Sequence, residues 1–344
     1  MTRPRRELVC VETTPFYHCV SRCVRRAFLC GADAVSGRDF EHRRQWILDR
    51  LVLLCEVFAI DVAAYAIMSN HYHLVVRIDR DRALSWDRSE VAERWYRLFG
   101  RQARVDRFLA GELLTTAEQD AVDAQIDTWR ARLYDLGWFM RCLNEHIARL
   151  ANAEDGCTGR FWEGRFKSQA LLDEAAVLAC MAYVDLNPVR AGIADTPEAS
   201  EYTSVSERIR NADAVSGGRG GSGGGPAPHR HSGGHLLPFF TGEASEALGA
   251  VLPFDFWDYL SLVDWTGRAV RENKRGAIPG HLAPILHRLG IEPGNWLESV
   301  SRFECHYRRV IGPVEVLRAL AVATGIRWFQ GISSCLRFYR PSPV

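Results

Sequence analysis

Lysine is almost missing from this chain: of 43 Lys and Arg residues, only Lys167 and Lys274 are lysines. The positive charge is therefore carried by guanidinium forks, which suit bidentate phosphate recognition. A coding preference for arginine would leave the same skew. Net charge is +1, so the global balance designates no partner, although Arg3, Arg5, Arg6, Arg22, Arg25 and Arg26 make the first stretch locally basic. No apolar run approaches the ~20 residues of a membrane span. The opening MTRPRRELVC lacks the apolar core of a secretory leader. These absences set the expectation of a cytoplasmic protein with no membrane partner. The ten cysteines include no CxxC pair, which favours reduced thiols over a disulfide framework or a zinc module. Cys19, Cys23 and Cys30 read as core thiols. No internal repeat is present.

At 344 residues, 47% hydrophobic and 25% charged, the chain is long enough for two domains. Residues 212–235, ADAVSGGRGGSGGGPAPHRHSGGH, have little to bury and predict a flexible linker in which His229, His231 and His235 are solvated. Before it, residues 15–24 predict a strand and 40–58 a helix through Trp46, Ile47, Leu51, Leu54 and Phe58. Residues 60–79 predict one or two strands turning near Ser69-Asn70. Residues 88–153 predict helices, 159–169 a loop, and 171–188 a helix that Pro188 helps to end. This order is α+β, with an antiparallel sheet covered by helices. The expected division is 1–210, a linker at 211–235, and a smaller, mostly helical domain at 236–344 whose aromatics form its own core.

Residues 67–76, IMSNHYHLVV, carry the most specific chemistry. Their apolar, partly β-branched flanks predict a strand. Alternation then places His71 and His73 on one face and Tyr72 on the other. By themselves the two imidazoles read equally as metal ligands or as core histidines, because His-x-His is a short pattern. In the helix expected at 171–188, Tyr183 and Asn187 are four residues apart and share a face. The Asn187 amide would complete a His-His-Asn set with Tyr183 beside it, an arrangement suited to tyrosine attack on a phosphodiester. The bland alternatives are a core tyrosine and a helix cap at Asn187-Pro188. In the loop GRFWEGRFKSQ, Arg160, Arg165 and Lys167 alternate with Phe161, Trp162 and Phe166. Such a mixture suits a single strand, with cations on phosphates and rings on bases.

Four stretches in order resemble the HUH endonucleases, and among them the REP-associated tyrosine transposases and related single-tyrosine transposases. They are PFYHCVSR (15–22), AIMSNHYHLVV (66–76), GRFWEGRFKS (159–168) and AYVDLNPVRAGI (182–193), and the likeness spans roughly residues 10–205. The resemblance implies a ferredoxin-like antiparallel sheet with helices, metal ligands at His71 and His73, and Asn187 in the third ligand position. It implies Tyr183 as the nucleophile that forms a covalent phosphotyrosine–DNA link. It also implies single-stranded or hairpin DNA as partner, and either a monomer or a homodimer. Phosphoryl chemistry selects Mg²⁺ or Mn²⁺ as cofactor. Arg22, Arg160, Arg165, Lys167 and Arg190 are the expected DNA contacts. The chain departs from the pattern at Ser69, where relatives carry proline, in a long insertion before the tyrosine helix, and in everything after the linker. Two alternatives stand beside this reading: a non-cleaving DNA-binding regulator on the same fold, and a metal-dependent hydrolase. For the latter, Val75 breaks a histidine triad, and His281, His287 and His306 lie beyond the linker.

Overall fold

Hydrophobic runs of alternating and helical period succeed one another along the chain, and the computed structural model of the protein follows that succession. It describes residues 9–24, 29–32, 37–217, 235–240, 251–272, 283–327 and 329–340. Arg3, Arg5, Arg6, Arg25, Arg26, His229, His231 and His281 lie outside the described residues, as does the linker from 218 to 234. The chain divides into two compact units, one of Met1–Arg44, Val62–Val76 and Trp162–Val344, the other of Gln45–Asp61 and Arg77–Phe161.

The first unit holds a mixed sheet of β1 (Phe16–Arg22), β2 (Ile60–Ile67), β3 (His71–Ile78), β4 (Lys167–Leu171) and β5 (Val310–Ile311), in the order β2-β3-β1-β4-β5. The turn between β2 and β3 sits at Ser69-Asn70 as expected. The Met68 amide bonds the His71 carbonyl at 2.8 Å, and the Asn70 carbonyl accepts from the Cys23 amide at 3.0 Å. Strand β1 runs antiparallel to β4, with His18 opposite Gln169 and Cys19 opposite Ser168. Three residues of the expected 159–169 loop thus belong to β4, because the edge of β1 offers their backbone groups partners.

The second unit is helical, built from α1 (Arg43–Val57), α2 (Arg80–Ser85), α3 (Arg88–Tyr96), α4 (Ala103–Leu109), α5 (Thr116–Leu133) and α6 (Leu136–Glu154). A Thr115–Glu118 capping box opens α5, and Trp95 stacks on Trp129 with ring centroids 5.4 Å apart. Among the described residues no helix is long and apolar enough to cross a membrane.

The first unit continues with α7 (Glu174–Asp185), α8 (Asn187–Arg190), α9 (Ser204–Gly217), α10 (Phe256–Glu272), α11 (Ala283–Arg288), α12 (Pro293–Ser301), α13 (Phe303–His306), α14 (Val314–Thr324) and α15 (Ile332–Phe338). Asp173 caps α7 by accepting from the Ala176 amide. The helix is apolar on every side, so it is buried on every side. The expected helix at 171–188 is therefore two. It ends at Asp185, and Pro188 sits in the first turn of α8, where its missing N–H costs nothing.

The expected division at 210 and 236 is not the one observed. Helix α9 runs through residue 211, and His235 is 5% exposed rather than solvated. The C-terminal half is mostly helical, yet it belongs to the same compact unit as β1 and β4. Its β5 pairs in parallel with β4, Ala170 opposite Val310, and its Tyr259 hydroxyl bonds the buried carboxylate of Asp185 at 2.5 Å. An unpaired strand edge and a buried charge both demand partners, and residues 256–311 supply them. As expected, Tyr259, Trp296 and Phe303 are buried, and so are Cys19, Cys23 and Cys30, each 0% exposed.

Candidate nucleic-acid processing site

Strand alternation brings the rings of His71 and His73 to one face of β3, centroids 4.8 Å apart, while Tyr72 lies edge-on to Trp162. His73 is 0% exposed. Its Nδ1 lies 2.9 Å from His18 Nε2, and His18 Nδ1 lies 3.1 Å from Gln169 Oε1. The last contact is the cross-strand pair set by the β1–β4 register. An amide oxygen only accepts, so His18 carries its proton on Nδ1 and leaves Nε2 as an acceptor. The proton between the two imidazoles then belongs to His73 Nδ1, which turns the Nε2 lone pair of His73 outward. His71 repeats the pattern, its Nδ1 lying 2.5 Å from Asn70 Oδ1. Burial pushes both His18 and His71 down to about 4, and pushes His73 well below its ordinary value with help from its two imidazole neighbours. All three rings are neutral at pH 7.

Asn187, 9% exposed, begins α8 and puts Nδ2 3.1 Å from His73 Nε2. Tyr183, one turn earlier on α7, is 3% exposed, with its ring edge-on to His73 at 5.5 Å. One face of the Tyr183 ring stacks on Phe303, centroids 4.7 Å apart and planes 15° apart. The Arg190 guanidinium lies 4.8 Å from the ring centroid. Burial together with the nearby Glu304 carboxylate raises the Tyr183 phenol above its ordinary range against the opposing pull of Arg190.

The histidine–amide set fits a divalent cation on chemical grounds. Two neutral imidazoles have their Nδ1–H groups engaged, which leaves Nε2 of each as the nitrogen with a lone pair, as partners behind a metal site do for its ligands. Turning the Asn187 amide about its terminal bond would offer Oδ1 in place of Nδ2. Among the described residues no group of three or more His, Cys, Asp or Glu side chains is placed to hold a metal, so such a site depends on that amide.

No family model matches the chain, and no curated protein matches it. Among solved structures, that of a REP-associated tyrosine transposase bound to a REP hairpin aligns with 69% of this chain and 99% of its own, at 11% identity and a TM-score of 0.36. That level of likeness assigns no family.

The expected DNA contacts divide into three groups. Arg22, Arg165 and Lys167 line one cavity of about 490 Å³, together with His18, Gln169, Phe303, Glu304 and Arg308. Arg190 is instead half-buried against Tyr183 and bonds the Ser301 carbonyl at 2.5 Å. Arg160 is exposed and belongs to the second unit. The expected stacking rings are corrected outright: Phe161, Trp162 and Phe166 are 2%, 9% and 9% exposed. Their apolar area is worth more buried than offered to bases in water. Sequence reasoning missed His18, although strand pairing of PFYHCVSR with FKSQ would have put it opposite Gln169. It also missed Phe303 and Glu304, for which no local signal exists.

Proposed function

We propose that the chain cleaves and rejoins single-stranded or hairpin DNA through Tyr183, on a ferredoxin-like core. The observation that carries this reading is the meeting at His73 of three things: the Asn187 amide at 3.1 Å, the Tyr183 ring at 5.5 Å, and a neighbouring neutral imidazole, His71. The strand order β2-β3-β1-β4 supports the fold assignment, being the order of a βαββαβ unit to which β5 is added.

His71 Nε2, His73 Nε2 and the Asn187 amide oxygen would hold Mg²⁺ or Mn²⁺. Bound there, the ion supplies Lewis-acid polarisation of a phosphate and neutralises its oxygens. Arg22, Arg165, Lys167 and Arg308 give the adjoining cavity a cationic lining that holds strand phosphates. The Tyr183 oxygen attacks phosphorus as its proton passes to a water molecule. The sugar oxygen departs with the bonding pair and takes up a proton, leaving a phosphotyrosine. Attack by another sugar hydroxyl reverses the step and rejoins the strand. His18 and Gln169 fix the His73 tautomer throughout.

A second reading, DNA binding without cleavage, is favoured by the burial of Tyr183 beneath Phe303. One experiment separates the two. The full chain is incubated with labelled hairpin-bearing single strands and divalent ion, resolved under denaturing conditions, and any adduct is mapped by mass spectrometry. A covalent link at Tyr183 that is lost in Tyr183→Phe is expected. A link at another residue, or an undiminished adduct in the Phe variant, refutes the nucleophile.

A further inference from the structure

Tyr183 is held from outside its own helix. Its ring face lies on Phe303, the first residue of α13, at 4.7 Å and 15°, a stacking contact and not an edge contact. Phe303 is itself 1% exposed and packs edge-on to Tyr307 at 5.2 Å and to His18 at 5.9 Å. Its position is therefore fixed by the same histidine that orients His73. The Arg190 guanidinium, 4.8 Å from the Tyr183 ring centroid, is tied to the Ser301 carbonyl at 2.5 Å. Glu304, next to Phe303 in α13, lines the 490 Å³ cavity. Residues 301–304 thus meet the ring directly at its face, through Phe303, and indirectly through Ser301, which holds the Arg190 cation over it. Ser301 and Phe303 belong neither to the stretch that carries the histidines nor to the tyrosine helix.

A phenol on a two-torsion side chain flips and swings unless its faces are packed. In-line attack tolerates little of that motion, and a displacement of about 1 Å at a reacting group costs on the order of 10²-fold in rate. Resting on the reading of Tyr183 as nucleophile, we propose that Phe303 is a positioning residue, and that residues 301–304 of the C-terminal half form a clamp aiming the Tyr183 oxygen along the cavity edge. The C-terminal half then completes the reaction site, which gives a function to its inclusion in the first unit.

The test uses the full chain and compares Phe303→Leu with Phe303→Tyr. Leucine keeps the position apolar and close in volume but removes the flat face, whereas tyrosine keeps the face. Single-turnover adduct formation at saturating single-stranded DNA should fall about 10- to 100-fold in Phe303→Leu, with DNA affinity within about twofold, and should be restored in Phe303→Tyr. In parallel, NMR of the chain with ring-labelled tyrosine should show the Tyr183 ring flipping faster in Phe303→Leu, and held in Phe303→Tyr. Equal adduct rates in Phe303→Leu and the unmodified chain would overturn the clamp alone. A faster rate in Phe303→Leu would overturn it too, by making Phe303 a barrier to the strand. Reduced rates in both variants with an unchanged Tyr183 ring signal would assign Phe303 a purely structural role. No adduct in the unmodified chain would remove the nucleophile itself, and the clamp with it.

Discussion

Replacing Tyr259 by phenylalanine deletes one hydroxyl and leaves the ring. That hydroxyl donates to Asp185 Oδ2 at 2.5 Å, while Oδ1 accepts from the Ser204 hydroxyl at 2.5 Å and the Val205 amide at 3.0 Å. Asp185 is 0% exposed, so in the variant Oδ2 stays desolvated without its donor. A hydrogen bond to a charged group contributes about 1.5–3 kcal/mol, and loss of one partner exposes the desolvation cost of the other. A loss of about 2 kcal/mol at pH 7 follows, or roughly 4–8 °C in the melting of the first unit. The pH dependence has a definite sign. Burial raises the Asp185 carboxyl above its ordinary 3.8, against the pull of Ser204 and Tyr259. With its folded-state value above the unfolded one, Asp185 favours folding fully below the unfolded value, and this contribution is lost as pH rises through the folded one. The Tyr259→Phe change would push the folded value higher still, so the variant loses more on the way up, and its deficit must shrink as pH is lowered toward the ordinary carboxylate range. Urea unfolding followed by tryptophan fluorescence at about pH 7 and about pH 4.5 measures both quantities. A variant within about 0.5 kcal/mol of the parent at pH 7, or a deficit that grows on acidification, would refute the reasoning.

Ending the chain after Arg210 removes β5, Tyr259, Trp296 and Phe303, so the remainder of the first unit should lose its cooperative transition; circular dichroism melting and limited proteolysis check this, and a sharply melting fragment would contradict it. The metal-free histidines make a separate prediction. Nitrogen-15 NMR should find His18 and His71 neutral down to about pH 4, each with the proton on Nδ1. Their folded-state values lie below 6.5, so the unfolded chain takes up protons first and stability is lost as pH falls from 6.5 toward 4. Titration of His18 near 6.5 would contradict the hydrogen-bond chain that runs from Gln169 through His18 to His73, and titration of His71 near 6.5 would contradict the burial that holds it neutral.

Much of the local order was legible in the residues. Alternation and helical period give the strand–helix–hairpin succession, the shared face of His71 and His73, and the one-turn spacing of Tyr183 and Asn187, because each depends only on a side chain's direction within its own segment. The helix break at Leu186 and the strand at Lys167–Leu171 were less legible, since both depend on what lies alongside. Three features came from tertiary structure alone. His18 became part of the site through pairing of β1 with β4. Phe161, Trp162 and Phe166 became core instead of a platform for bases, because apolar rings are buried wherever the fold has room for them. Phe303, Glu304 and Tyr259 reached the tyrosine helix from beyond residue 250, across a tract whose composition suggested a boundary. Composition reports whether a tract can fold by itself, whereas an unpaired edge on β4 and a buried carboxylate at Asp185 decide which distant segment must come back to meet them.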